Sequence, residues 1–271
     1  MFCEPEKIKN SDGLGVYFNT FIKKNIRIVK LGIFLFPFIL VIMMTLLKWK
    51  FPFWYRKLVW KEDSIVEYLT AIFYFFSFVI SFSISVGFYR NNFKLQSIPY
   101  FILAGFFFFI AMEEISWGQR LLDIETPEYL LGYNKQNELN FHNLKFVPLH
   151  MLYIIVGLYG GLTRFLIPKS SMKTYRPIVN YFTPDYYLSF YFLITAILYL
   201  YYDYFSSYIV FFFGEQFGWG KGHFIHGKDQ EAAEFILSIG FLLFVFINKY
   251  RQLWNKNSIF WIIQRPPTKL S

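Results

Sequence analysis

Two adjacent carboxylates, Glu113 and Glu114, close a long apolar run, and Ser116, Trp117, Gln119 and Arg120 follow them directly. Negative charges forced this close together in a weakly polar setting must share a proton, find a cation or gather basic side chains. A carboxylate so placed is suited to general-base chemistry. Arg120 is the nearest basic residue. All four histidines come later, at His142, His150, His223 and His226. The His-x-x-His spacing of the last two puts both imidazoles on one face if the segment is helical. Gly218, Gly220, Gly222 and Gly227 favour a loop instead. Two histidines and a nearby carboxylate suit a divalent metal such as zinc. Glu231 and Glu234 are three apart and share a helix face.

These residue types sort into roles. Glu113, Glu114, Arg120 and His150 are the catalytic candidates. Trp117, Gln119, Asn140 and Asn143 are candidates for substrate binding. His142, His223, His226 and Glu231 are the candidate metal ligands. Glu67, Asp203, Asp229 and Glu234 complete the polar interface. The single cysteine, Cys3, excludes an internal disulfide and a thiolate zinc site. The sequence contains no Gly-x-Ser-x-Gly elbow and no phosphate-cradling glycine loop.

The elements that must position these groups are membrane spans. Of the 271 residues, 55% are apolar and 24% aromatic, more than the core of one soluble domain can bury. A bilayer removes the difficulty, because the outer surface is then apolar too. Six runs approach the roughly 20 apolar residues a span requires: Ile28–Leu47, Ser64–Val86, Ile98–Glu114, Val147–Ile167, Tyr186–Asp203 and Glu231–Ile247. The expected fold is therefore all-α, a polytopic six-helix bundle over residues 28–247. Residues 1–27 form an arm before it, read either as a short interfacial helix or as a solvated arm. Residues 248–271 form a basic tail. Gly160 and Gly161 in the fourth run read as a close helix contact.

Most of the 27 Lys and Arg residues fall in the arm, the loop at Arg90 and Lys94, the segment from Arg164 to Arg176, and the tail. Both termini are accordingly expected in the cytoplasm, in the plasma (inner) membrane of a bacterium. The formal net charge of +9 marks topology and anionic lipid. Membrane lipids are the expected partners, and nucleic acid is not. Alternation of the spans then gathers every candidate residue named above on one side, while the opposite loops are short and basic.

The block Glu113-Glu114-Ile115-Ser116-Trp117-Gly118-Gln119-Arg120 resembles one carried by a family of uncharacterised bacterial multi-pass membrane proteins, and it implies no activity. A partial likeness points to the CAAX-protease-like membrane glutamate proteases, whose pattern is Glu-Glu-x-x-x-Arg, Phe-x-x-x-His and a late His with Asn or Asp. Glu113 and Glu114 match the pair, and Phe146 and His150 match the second motif. His226 with Asp229 approximates the third, and Arg120 comes two residues later than the pattern asks. That resemblance implies that Glu113 or Glu114 activates a water while histidines stabilise the oxyanion.

The leading expectation is a membrane-embedded enzyme. It would act on a lipid, lipid-linked or membrane-peptide substrate through a Glu/His site, with or without a metal, by hydrolysis or group transfer. A transporter or ion-conducting protein would leave polar residues at mid-depth, where this sequence has Phe, Ile and Leu. A non-catalytic scaffold or assembly factor is the third alternative. The orientation has a direct check. Alkaline phosphatase fused after Tyr133 is expected to be active and fused after Ser271 inactive, and the reverse pattern would invert the topology.

Overall fold

The computed structural model describes residues 13–122, 125, 149–168, 176–205, 208, 211–212 and 229–254. Among the described residues the chain is helical and contains no strand. Six principal helices carry it: α1 (Gly13–Lys50), α2 (Ile65–Arg90), α3 (Lys94–Glu114), α4 (Leu149–Leu166), α5 (Ser189–Leu200) and α6 (Gln230–Trp254). Each lies in a stretch long and apolar enough to cross a bilayer. The chain is a multi-pass integral membrane protein. With no water inside the bilayer, the backbone must satisfy its own hydrogen bonds, and a helix does so within one segment.

The expected spans hold, with shifted ends. The backbone of the arm is helical from Gly13 and runs into α1 without a break. The fifth span is assembled from pieces: the helix Arg176–Phe182, a 3₁₀ turn at Tyr186–Leu188, α5, and a π turn at Tyr201–Phe205. α6 continues past Ile247 to Trp254, so the tail's first residues belong to the bundle. Asn248 donates to the Tyr100 hydroxyl at 2.9 Å, and Gln252 donates to the Ile84 carbonyl at 2.8 Å. α2 begins with a variant of the capping box, shifted by one residue on the Glu67 side so that its carboxylate meets the N–H before the N-cap Ser64. The Ser64 hydroxyl accepts from the Glu67 N–H at 3.1 Å, and the Glu67 carboxylate accepts from the Asp63 N–H at 2.8 Å.

Among the described residues the helices pack as an open ring in the order α3, α2, α6, α5, α4, with α1 lying outside against α5 and α6. α3 rests on α2, and α4 on α5. α3 and α4 have little to do with each other. Aromatic rings fill the interior at mid-depth, with Phe241 5.0 Å from Phe107 and 5.1 Å from Phe192, ring centre to ring centre. At the end of the bundle where α4 and α6 finish, Asp185 accepts from Arg251 and lies 3.3 Å from Arg164. Arg164 also donates to Asn180 at 2.6 Å. One acidic side chain thus ties the start of the fifth span to α4 and α6.

Glycines set the closest approach in the ring. A Cβ on Gly160 would lie 2.3 Å from the Phe192 ring, and one on Gly157 would lie 2.7 Å from the Phe192 carbonyl oxygen. Small residues let membrane helices approach closely enough for dispersion to hold them together. Gly157→Val and Gly160→Val are expected to destabilise the protein by about 1–3 kcal/mol each through overpacking. Gly105→Val, whose new atoms meet nothing within 4 Å, should change little. Thermal unfolding of the detergent-purified variants, followed by size exclusion, checks the contrast.

Candidate functional site

The last turn of α3 and the first turns of α6 meet at the end of the bundle opposite Asp185. Carboxylate oxygens of Glu114, Glu231 and Glu234 all lie within 4.8 Å of one another. They come from helices far apart in sequence, and Glu114 is only 9% exposed. The N-terminus of α6 favours negative charge in its first turn, where Glu231 sits. Three carboxylates this close call for compensating positive charge or a shared proton. Among the described residues the trio offers only oxygen ligands, of the kind that suit Mg²⁺, Mn²⁺ or Ca²⁺.

Around this trio stands a layer of tyrosines that the sequence reading did not single out. The Tyr199 hydroxyl donates to Glu234. Tyr153 stacks on Tyr199 at 4.6 Å with the rings 6° from parallel. His150 joins the same layer, its ring centre 4.9 Å from that of Tyr199. His150 Nδ1 lies 2.7 Å from Asp203 Oδ1, and its Nε2 lies 3.1 Å from the Gln230 amide nitrogen. Asp203 sits in the π turn after α5, a widened turn of a kind frequent at functional sites. The sequence signal for this layer was faint: Tyr199 and Asp203 are four apart, as helical neighbours must be.

Glu113 is buried beside Glu114 because the chain folds back immediately after α3. Ser116, Trp117 and Gly118 all take positive φ, at 46°, 54° and 79°. Only glycine adopts that region without steric cost, so Ser116 and Trp117 are held there by their surroundings. The reward is visible in Trp117. Its indole N–H donates to Glu113, and its ring packs 5.8 Å from Phe109.

The other expected site residues are placed as follows. Gln119 is buried at the start of the helical turn Gln119–Leu122. Arg120 lies in that turn, and its side chain is outside the described residues, as are Asn140, His142, Asn143, Phe146, His223 and His226. Glu67 serves the capping box of α2. Asp229 binds Lys48 at 2.5 Å and accepts from Tyr55 and Trp60, each at 2.9 Å, which fastens the end of α1 to the start of α6.

Beside the trio, an apolar cavity of about 250 Å³ enters the ring between α3 and α4. Phe106, Phe109 and Glu113 line it from α3, Leu152 and Tyr153 from α4, and Tyr74 and Phe241 form its floor. Glu114 closes one end. Comparisons with protein-family models, with curated proteins and with solved structures find no match to this chain.

Trp117→Phe keeps the ring and deletes the donor to a buried carboxylate. It is expected to cost about 1–3 kcal/mol of stability, read as a lowered unfolding temperature. An unchanged temperature would mean that Glu113 does not depend on the indole.

Proposed function

We propose that this chain is a membrane-embedded hydrolase of the bacterial plasma membrane, acting on an amphiphilic substrate at the non-cytoplasmic end of its helices. The observation that carries the reading is the convergence of Glu114, Glu231 and Glu234 at the end of an apolar cavity. Ionisable side chains at such a depth are costly, and they mark function by default. A substrate would slide in from the bilayer between α3 and α4 and present its polar head to the carboxylates.

In the proposed reaction Glu114 takes a proton from water as the water oxygen attacks the ester or phosphoester centre. The bond to the leaving oxygen breaks, and that oxygen collects a proton from the neighbouring carboxyl of Glu234 or Glu231. Tyr199 orients Glu234 through its hydroxyl. His150, steadied by Asp203 and packed beside Tyr199, is a second group able to carry a proton. Transport finds less support, because the rings of Phe107, Phe192 and Phe241 fill the interior at mid-depth.

The test is turnover of a bacterial lipid extract by the purified chain in vesicles, with products followed by mass spectrometry. Glu114→Gln and Glu234→Gln should each lower the rate roughly 10²–10⁴-fold, the usual contribution of a positioned acid or base. Tyr199→Phe should lower it less. A chelator that stops turnover, with Mg²⁺ restoring it, would assign the trio to a cation. Activity surviving chelation would assign it to proton transfer alone. Product formation undiminished in both glutamine variants would remove these carboxylates from the chemistry.

A further inference from the structure

A second cavity continues the first. It has a volume of about 350 Å³ and is lined by Pro99, Tyr100 and Leu103 from α3, by Ile155, Val156 and Tyr159 from α4, and by residues of the fifth span and α6. Phe106, Val156 and Phe241 line both cavities. The two therefore form one groove, running along the gap in the ring from Glu114 to Pro99. At 1.5 Å of rise per residue its length is about 22 Å. One leaflet of hydrocarbon is about 15 Å deep, half of a 30 Å core. Its rim is exposed on the outer surface of the bundle at Phe106, Phe109, Leu152 and Ile155. Its floor reaches the interior at Tyr74, which is 1% exposed.

The groove's chemistry is uneven along its length. At one end stand Glu113 and Glu114. Beyond them the lining is mainly aromatic and aliphatic, and two of its tyrosine hydroxyls are used by the protein's own backbone: Tyr100 donates to the Tyr181 carbonyl at 2.6 Å, and Tyr159 to the Phe182 carbonyl at 2.7 Å. The backbone groups of α3 and α4 are used within their helices. An extended peptide lying here would carry amides into hydrocarbon without partners, each at a cost of several kcal/mol. A hydrocarbon chain carries no such cost.

We propose that the groove between α3 and α4 binds one hydrocarbon chain of the substrate, so that the substrate is a lipid whose polar head lies at Glu114. This rests on the reading of the carboxylate end as the reaction centre, which names the head's position. The chain is held by the groove whatever happens at the head.

The experiment uses the full chain in vesicles of phosphatidylethanolamine and phosphatidylglycerol containing a phosphatidylcholine with a diazirine midway along one acyl chain. After irradiation, labelled residues are mapped by peptide mass spectrometry. Labelling at Phe106, Val156 and Phe241 should exceed that at Phe75 and Phe76, which face outward from α2, by several-fold. Val156→Trp and Leu103→Trp should each cut groove labelling several-fold and leave the α2 face unchanged. Glu114→Gln should leave groove labelling intact, which separates tail binding from chemistry. A labelled groove in a protein that turns over no lipid would uphold the tail site and sink the hydrolase. Groove labelling no stronger than on α2, or insensitive to both tryptophans, would overturn the proposal. So would displacement of the lipid label by a photoreactive transmembrane peptide that labels the groove in its place.

Discussion

Charge is expensive inside hydrocarbon, about 2.5–3.5 kcal/mol for an ionisable side chain at mid-bilayer on insertion scales, and the whole chain is arranged around that cost. No Asp, Glu, Lys, Arg or His interrupts the intervals from Glu67 to Arg90, Lys94 to Glu113, His150 to Arg164, Asp185 to Asp203, or Glu234 to Lys249. These five intervals begin and end on two planes. At the plane where α4 and α6 finish, Arg164 and Arg251 converge on Asp185 and acid meets base. At the other, Glu114, Glu231 and Glu234 converge on one another. The first arrangement closes the bundle. The second gathers carboxylates where α3, α5 and α6 meet.

The same absence of water decides which helices stay together. Apolar side chains gain nothing by leaving lipid for one another, so association depends on close backbone approach and shape. α4 offers Gly157, Gly160 and Gly161 to α5, and that face is occupied by Phe192, Leu193 and Ala196. Toward α3 it offers Leu152, Ile155 and Tyr159, which are bulky and exposed. The ring therefore closes on its glycine side and stays open on its aromatic side. The gap beside Glu114 follows from where the small residues are.

Most of this architecture was legible in the sequence, because span length and charge-free intervals are local properties. The one-sidedness of the polar residues followed from alternation alone, and Gly160 and Gly161 announced a close contact. What the sequence withheld was partnership. Glu231 and Glu234 read as a pair on one helix face, yet their third member, Glu114, lies more than a hundred residues earlier, and nothing local selects it. His150 read as a catalytic candidate without its partners, since Asp203 reaches it only through a π turn that periodicity does not foretell. The tyrosines stayed hidden for a different reason: among 21 of them, Tyr199 and Tyr153 have no mark of their own. The Ser64-x-x-Glu67 pattern was readable, and it gives Glu67 a capping contact at the start of α2.

His150 shows how one residue can hold the site together. In the tautomer whose Nδ1–H donates to Asp203, its Nε2 accepts from the Gln230 amide. That arrangement ties the start of α4 to the end of the fifth span and the start of α6, the elements that flank the carboxylates. A side chain at position 230 without an N–H to offer would leave Nε2 without this partner and the join between the three helix ends weaker. The same position is open to an amide because a glutamine can present either its NH₂ or its carbonyl oxygen to the ring.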